Sequence, residues 1–169
     1  MRFLPFALLF FLITPALSAD NHDVDHDPQA DFSKFKTFTL REGNINAKAP
    51  DLNSPLVRKK IDEAIRTQLA AKGLHEVETQ PDLVVTYRLG SAQRREVETY
   101  PVGPWGRRRR VERYKFTEGT LVVDMTTREP RDLVWRGVYR DDEHNPSKIS
   151  EKLPNDIKKL FSEYPPKKK

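Results

Sequence analysis

The stretch SPLVRKKIDEAIRTQLAAKGL, residues 54–74, restricts the fold more than any other part of the chain. Ser54 is placed to cap a helix, Pro55 takes the first helical position, and Gly73 supplies the left-handed residue that follows a helix end. Between these marks Val57, Ile61, Ala64, Ile65, Gln68 and Leu69 recur at three and four, so one stripe is apolar while Arg58, Lys59, Asp62, Glu63 and Arg66 fall mostly outside it. A helix with a single apolar stripe has to lie on a flat apolar surface.

The sequence that follows supplies that surface. PDLVVTYRL alternates Leu83, Val85, Tyr87 and Leu89 against Val84, Thr86 and Arg88, which is the period of a strand. GTLVVDMTT repeats the pattern with Leu121, Val123 and Met125, and after the polar turn REPRD the segment LVWRGVYR presents Leu133, Trp135 and Tyr139. These last two strands are expected to pair antiparallel. Ile149, Leu153, Ile157, Leu160, Phe161 and Tyr164 return to helical spacing, with Pro154 expected to break or kink that helix after its first turn. YPPKKK then ends the fold and trails into solvent. The expected fold is α+β: an antiparallel meandering sheet with two helices packed on one face and a protruding basic β-hairpin. Residues 20–166 form a single domain, 167–169 a basic tail, and no internal repeat is found. A mean hydropathy of −0.72 is low for a globular chain, but the apolar residues are periodic rather than scattered, which favours folding.

MRFLPFALLFFLITPALSAD reads as a secretory signal peptide over residues 1–19: Arg2, an apolar run over 3–13, then the small residues Ala16, Ser18 and Ala19. The run is shorter than the ~20 residues that cross a bilayer. Cleavage after Ala19 is preferred, with Ser18 the alternative, so the expected location is the periplasm. The chain has no cysteine, which removes disulfides and lipid attachment through a thiol. The sequence pI is about 9.4. In an exported protein that basicity points to anionic lipid or envelope polymer rather than to nucleic acid.

The charge is concentrated. Residues 94–116 hold eight basic and three acidic side chains, an excess as large as the formal +5 of the whole chain. At its centre stands VGPWGRRRRVERY, with Trp105, Arg107, Arg108, Arg109, Arg110 and Arg113. RREVETY and RRRRVERYKF can each extend as an arm, with PVGPWG as the reversal; the alternative is a loop of about 25 residues, uncommon inside a domain. Arginine pairs bidentately with phosphate and an exposed tryptophan settles at a membrane interface, which makes these six residues the candidate surface for peripheral contact with an anionic layer. The competing reading is an edge hairpin whose charges only discourage aggregation. Trp135, on an alternating strand, is expected in the core.

At this point the chain resembles the bacterial family called domain of unknown function 4136. The resemblance rests on DHDPQADFSKFKTF, LVRKKIDEAIRTQLAAKGL, PDLVVTY, EGTLVVDM, LVWRG and a closing YPP, in order across residues 24–166. It implies an exported Gram-negative envelope protein with an α+β fold and no known activity. Many members look like lipoproteins with a cysteine at the cleavage site, and this chain departs from them. The segment holding the arginine run is variable in the family, so the run inherits no role.

The chemistry of enzymes finds little purchase. Thiol nucleophiles and thiolate metal sites need cysteine, and no Gly-rich phosphate loop, G-x-S-x-G or H-E-x-x-H occurs. Asp141, Asp142 and Glu143 read as a solvated turn. A free amine at Asp20, with Asn21 and His22 behind it, would suit Cu²⁺ or Ni²⁺ in a square plane, but Val24 and His26 alternate as a first strand whose aspartates face water. No metal ligand set, cofactor or catalytic residue is assigned. The sequence is therefore read as a non-enzymatic exported module that binds or scaffolds an anionic envelope component through its basic hairpin. The alternatives are an envelope enzyme acting on an anionic polymer and a periplasmic metal-capture protein.

Overall fold

The Oγ of Ser54 accepts a hydrogen bond from the Val57 N–H at 3.3 Å, Pro55 opens helix α1 (Pro55–Ala71), and Gly73 follows its end at a φ of 83°. Val57, Ile61, Ile65 and Leu69 are buried. In the computed structural model the described residues are 21–102, 108–141, 143 and 145–167, with side chains outside 91–118. Among them run β1 (His22–His26), a 3-10 turn at Phe32–Lys34, β2 (Thr37–Leu40), β3 (Asn44–Asn46), α1, β4 (His75–Glu76), β5 (Leu83–Val102), β6 (Arg108–Thr127), β7 (Leu133–Asp141) and α2 (Pro146–Ser162).

The strands form one sheet in the order β1-β7-β6-β5-β2-β4, with β3 taking over from β2 along β5. The sheet is mixed, which corrects the expected antiparallel meander. β1–β7, β7–β6 and β6–β5 are antiparallel, whereas β2 runs parallel to β5 and β4, and β3 parallel to β5. The physical reason is the crossover: the chain leaves β2, passes through α1 and returns into β5 in the same direction, as parallel neighbours require. Asp82 fixes this junction. Its Oδ2 accepts from the N–H groups of Lys36 at 2.8 Å and Thr37 at 2.9 Å and from the Thr37 hydroxyl at 2.9 Å, while its own N–H donates to Thr37 Oγ1 at 3.0 Å. The Lys36 bond leads in holding this carboxyl below the usual range, against the opposing effect of burial.

Alternation decides which side of the sheet is covered. Leu83, Val85, Tyr87, Leu89, Leu121, Val123, Met125, Trp135 and Tyr139 are buried on one face. Both helices lie on it: Arg58 and Asp62 of α1 adjoin the Tyr87 hydroxyl, and a Cβ built on Gly137 of β7 would come within 2.6 Å of Leu160 in α2. Trp135 is fully buried, stacked on Phe161 at 5.3 Å between ring centroids, with Tyr164 edge-on at 5.9 Å.

Three local expectations change. Helix α2 is capped by Asn145 and continues through Pro154 without a break, since a proline interior to a helix forfeits one hydrogen bond that the apolar packing of Ile149, Leu153 and Ile157 offsets. Leu133 is 41% exposed, because a register shift between Met125 and Thr126 turns it outward and buries Val134 instead. Tyr164 belongs to the core, and Pro166 and Lys167 after it line a hollow beside β1 rather than trailing away.

Candidate functional site

Of the sequence-designated residues, Trp105 and Arg107 lie outside the described residues, as does the reversal of the basic segment over 103–107. Arg108, Arg109, Arg110 and Arg113 fall on the backbone of β6, opposite Val102, Pro101, Tyr100 and Val97 of β5. The β7 ladder on β6 begins at Gly119, and the β3 ladder on β5 ends at Gly90. Beyond those points, among the described residues, β5 and β6 pair only with each other.

The sheet face turned away from the helices carries an ionic row across four strands. Asp25 of β1 stands opposite Arg136 of β7, and Arg136 opposite Asp124 of β6. The Arg136 guanidinium donates to Asp124 through Nε at 2.6 Å and Nη2 at 3.0 Å, and Arg88 of β5 adds Nη2 at 3.0 Å. The Asp124 bond, then its charge, raises the Arg136 pKa against the effect of burial. Asp23 meets Arg140 in the same way. Asp124 and Asp23 are thus held by guanidiniums of neighbouring strands, so the row ties β1, β7, β6 and β5 together, while Asp25 stands opposite Arg136 with its Oδ1 on the His26 N–H.

Two carboxylates do come together inside the protein. Asp141 and Asp156 are 2% and 1% exposed beneath α2. Lys152 Nζ donates to Asp141 Oδ1 at 3.0 Å and lies 2.9 Å from Oδ2. Burial draws the Lys152 ammonium down, but its bond to Asp141 and the charges of Asp141, Asp156 and Glu143 together outweigh that and leave it raised. Burial raises Asp156, with Asp141 adding to the rise and the Tyr139 hydroxyl opposing it. Neither carboxylate lines either of two surface hollows, so they form no open acid–base pair.

One hollow lies beside β2 and β4, rimmed by Arg41, Glu42, Glu78 and Arg128. The other lies under the outer edge of β1, which pairs with no second strand among the described residues, with Val24, Phe32 and Pro166 as its apolar floor and Asp25, Asp27, Asp31 and Lys167 around it. Arg140 N–H donates to Asn21 C=O and Asp27 N–H to Val134 C=O, so in β1 the odd positions bond to β7 and the even ones face outward. His26 N–H is taken by Asp25 Oδ1 at 2.9 Å, while Val24 N–H and C=O have no partner among the described residues. Reading the sequence for side-chain chemistry missed this edge, because its signal is the backbone of a terminal strand. The alternation HDVDH was its only trace. His22, the proposed third residue of a metal site, turns its Nε2 to within 2.8 Å of Glu163 Oε1; Asp20 lies outside the described residues.

A sequence model of the domain of unknown function DUF4136 matches residues 22–166. A DUF4136 family protein from Bacteroides thetaiotaomicron has a similar structure, with a TM-score of 0.57 and 17% identity over 86% of this chain and 97% of that one. A PDZ domain protein from Parabacteroides distasonis gives a TM-score of 0.63 at 16% identity, covering 89% of this chain and 36% of that one, so this chain spans about a third of that protein's length. The PelC dodecamer from Paraburkholderia phytofirmans gives 0.51 at 13% identity, covering 83% and 96%. At such identities the likeness is one of fold. Among curated proteins none matches the sequence.

Proposed function

The chain belongs to the DUF4136 family, and from that premise we propose that it is a non-enzymatic periplasmic protein that binds or scaffolds an anionic envelope component through a protruding basic β-hairpin. One observation carries the reading: the strongest charge excess in the sequence, over residues 94–116, falls on the part of β5 and β6 that pairs with no other strand among the described residues. Each basic residue near an anionic surface contributes about 1 kcal/mol, so the four arginines at 107–110 hold such a surface at physiological salt and release it at high salt. Export follows from residues 1–19, with cleavage near Ala19 and no cysteine to carry lipid. Burial of Asp141 and Asp156 weighs against the rival enzyme.

Co-sedimentation of the mature protein with vesicles containing anionic lipid, and with anionic envelope polymer, tests this across a salt series. Binding is expected to fall with salt and to weaken at least about tenfold when Arg107, Arg108, Arg109 and Arg110 are replaced by glutamine. Equal binding by both proteins, or by neither, overturns the assignment of the contact.

A further inference from the structure

We infer that the free edge of β1 receives the basic arm of a second copy of this chain, added as a further strand. This rests on the reading of the arm as a contact element and names its partner. An unpaired edge presents N–H and C=O groups that another extended segment can satisfy, and proteins that do not use such an edge blunt it. In β1 the outward groups belong to even positions, and those of Val24 lack any partner among the described residues.

Charge selects the occupant. β1 and the turn after it carry Asp23, Asp25, Asp27 and Asp31; Asp23 pairs with Arg140 and Asp31 lies 3.8 Å from Lys34 Nζ, and Asp25, Asp27 and Asp31 ring the hollow that opens under the edge. Two β1 edges would meet acid to acid and repel, because like charges on adjacent strands are destabilising. A basic strand meets the opposite condition. The chain contains one such stretch, the RRRRVERYK of residues 107–115, and the described part of it pairs only with β5. The apolar floor of Val24, Phe32 and Pro166 suits the aliphatic stems of arginine or an aromatic ring. Joining arm to edge uses two different surfaces of the same chain, so the contact is heterologous and closes into a ring where the rotation permits.

The experiment is sedimentation velocity of the mature chain over a concentration and salt series, beside vesicle binding of the same samples. Val24→Pro removes an outward N–H that β7 does not use, a substitution edge strands tolerate. Asp25→Lys with Asp27→Lys reverses the charge of the edge, and Arg108→Glu with Arg110→Glu reverses the arm. Thermal unfolding establishes that each variant is folded. The wild type is expected to assemble and to dissociate as salt rises, while Val24→Pro and the edge reversal weaken assembly at least tenfold and still bind vesicles. Each reversed variant alone is expected to be monomeric, and an equimolar mixture of the two to associate. A wild type monomeric at every concentration, or edge variants that assemble like it, overturns the inference; if such proteins still bind vesicles through the arm, the proposed function stands. Vesicle binding untouched by the arm reversal overturns that reading instead.

Discussion

Asp156 shows how a single residue can count against the fold that contains it. Its Oδ1 has no hydrogen-bond partner among the described residues, and burial raises its pKa above 3.8. A carboxyl whose native pKa is raised stabilises the fold while protonated. That contribution is complete below the unfolded value and is lost as pH rises through the native one. Asp156→Asn is therefore expected to gain about 1 kcal/mol at pH 7, with the gain shrinking as pH falls toward 4; urea unfolding at both pH values reads it, and a lower midpoint at pH 7 contradicts it. Gly137 is tight by contrast. A Cβ there would lie 2.6 Å from Leu160 Cγ and from the Trp135 ring, so Gly137→Ala is expected to cost about 1–3 kcal/mol. Gly90→Ala, with nothing within 4 Å, serves as the neutral control in the same unfolding series. Trp135 was legible as core from alternation alone, whereas the closeness of Gly137 to α2 depends on where a distant helix comes to rest.

At the scale of elements, local chemistry was a good guide to the helices and a poor one to strand direction. Ser54, Pro55 and Gly73 mark α1 in the sequence and perform those roles in the fold. Pro154 misled, since the backbone argument against it ignores the packing that holds α2 on both sides of it. Replacing Pro154 with alanine restores an N–H to that helix and is expected to raise stability by about 2 kcal/mol, read as a higher urea midpoint. The parallel placement of β2 beside β5 rests on Asp82, which binds across 45 residues of sequence. Asp82→Ala is expected to cost about 2 kcal/mol at pH 7. Because its native pKa is lowered below 3.8, the contribution is present above that value and disappears as pH falls, so wild type and variant should converge in acid. A constant difference between pH 7 and pH 3 would contradict the ionic origin.

For the whole molecule, the division between body and arm makes the clearest prediction. Among the residues whose side chains are described, the buried ones of β5 run from Leu83 to Leu89 and those of β6 from Gly119 to Met125, and replacing 93–117 by an Asn-Gly turn is expected to leave the thermal midpoint within a few degrees and to abolish both vesicle binding and assembly. A protein that no longer folds would show that the arm belongs to the core. What the sequence determined by itself was everything that repeats along the chain: two amphipathic helices, the alternation of the central strands, the absence of thiol chemistry, the family, and the place of the basic excess. These are local, because helix caps, periodicity and composition act among neighbours. The tertiary structure decided what is paired across distance: the parallel half of the sheet, the ion row that ties its open face together, the burial of Asp141 and Asp156, and the outer edge of β1. None of these has a local signature, since each exists only once a crossover and a chain terminus have chosen which strands lie side by side.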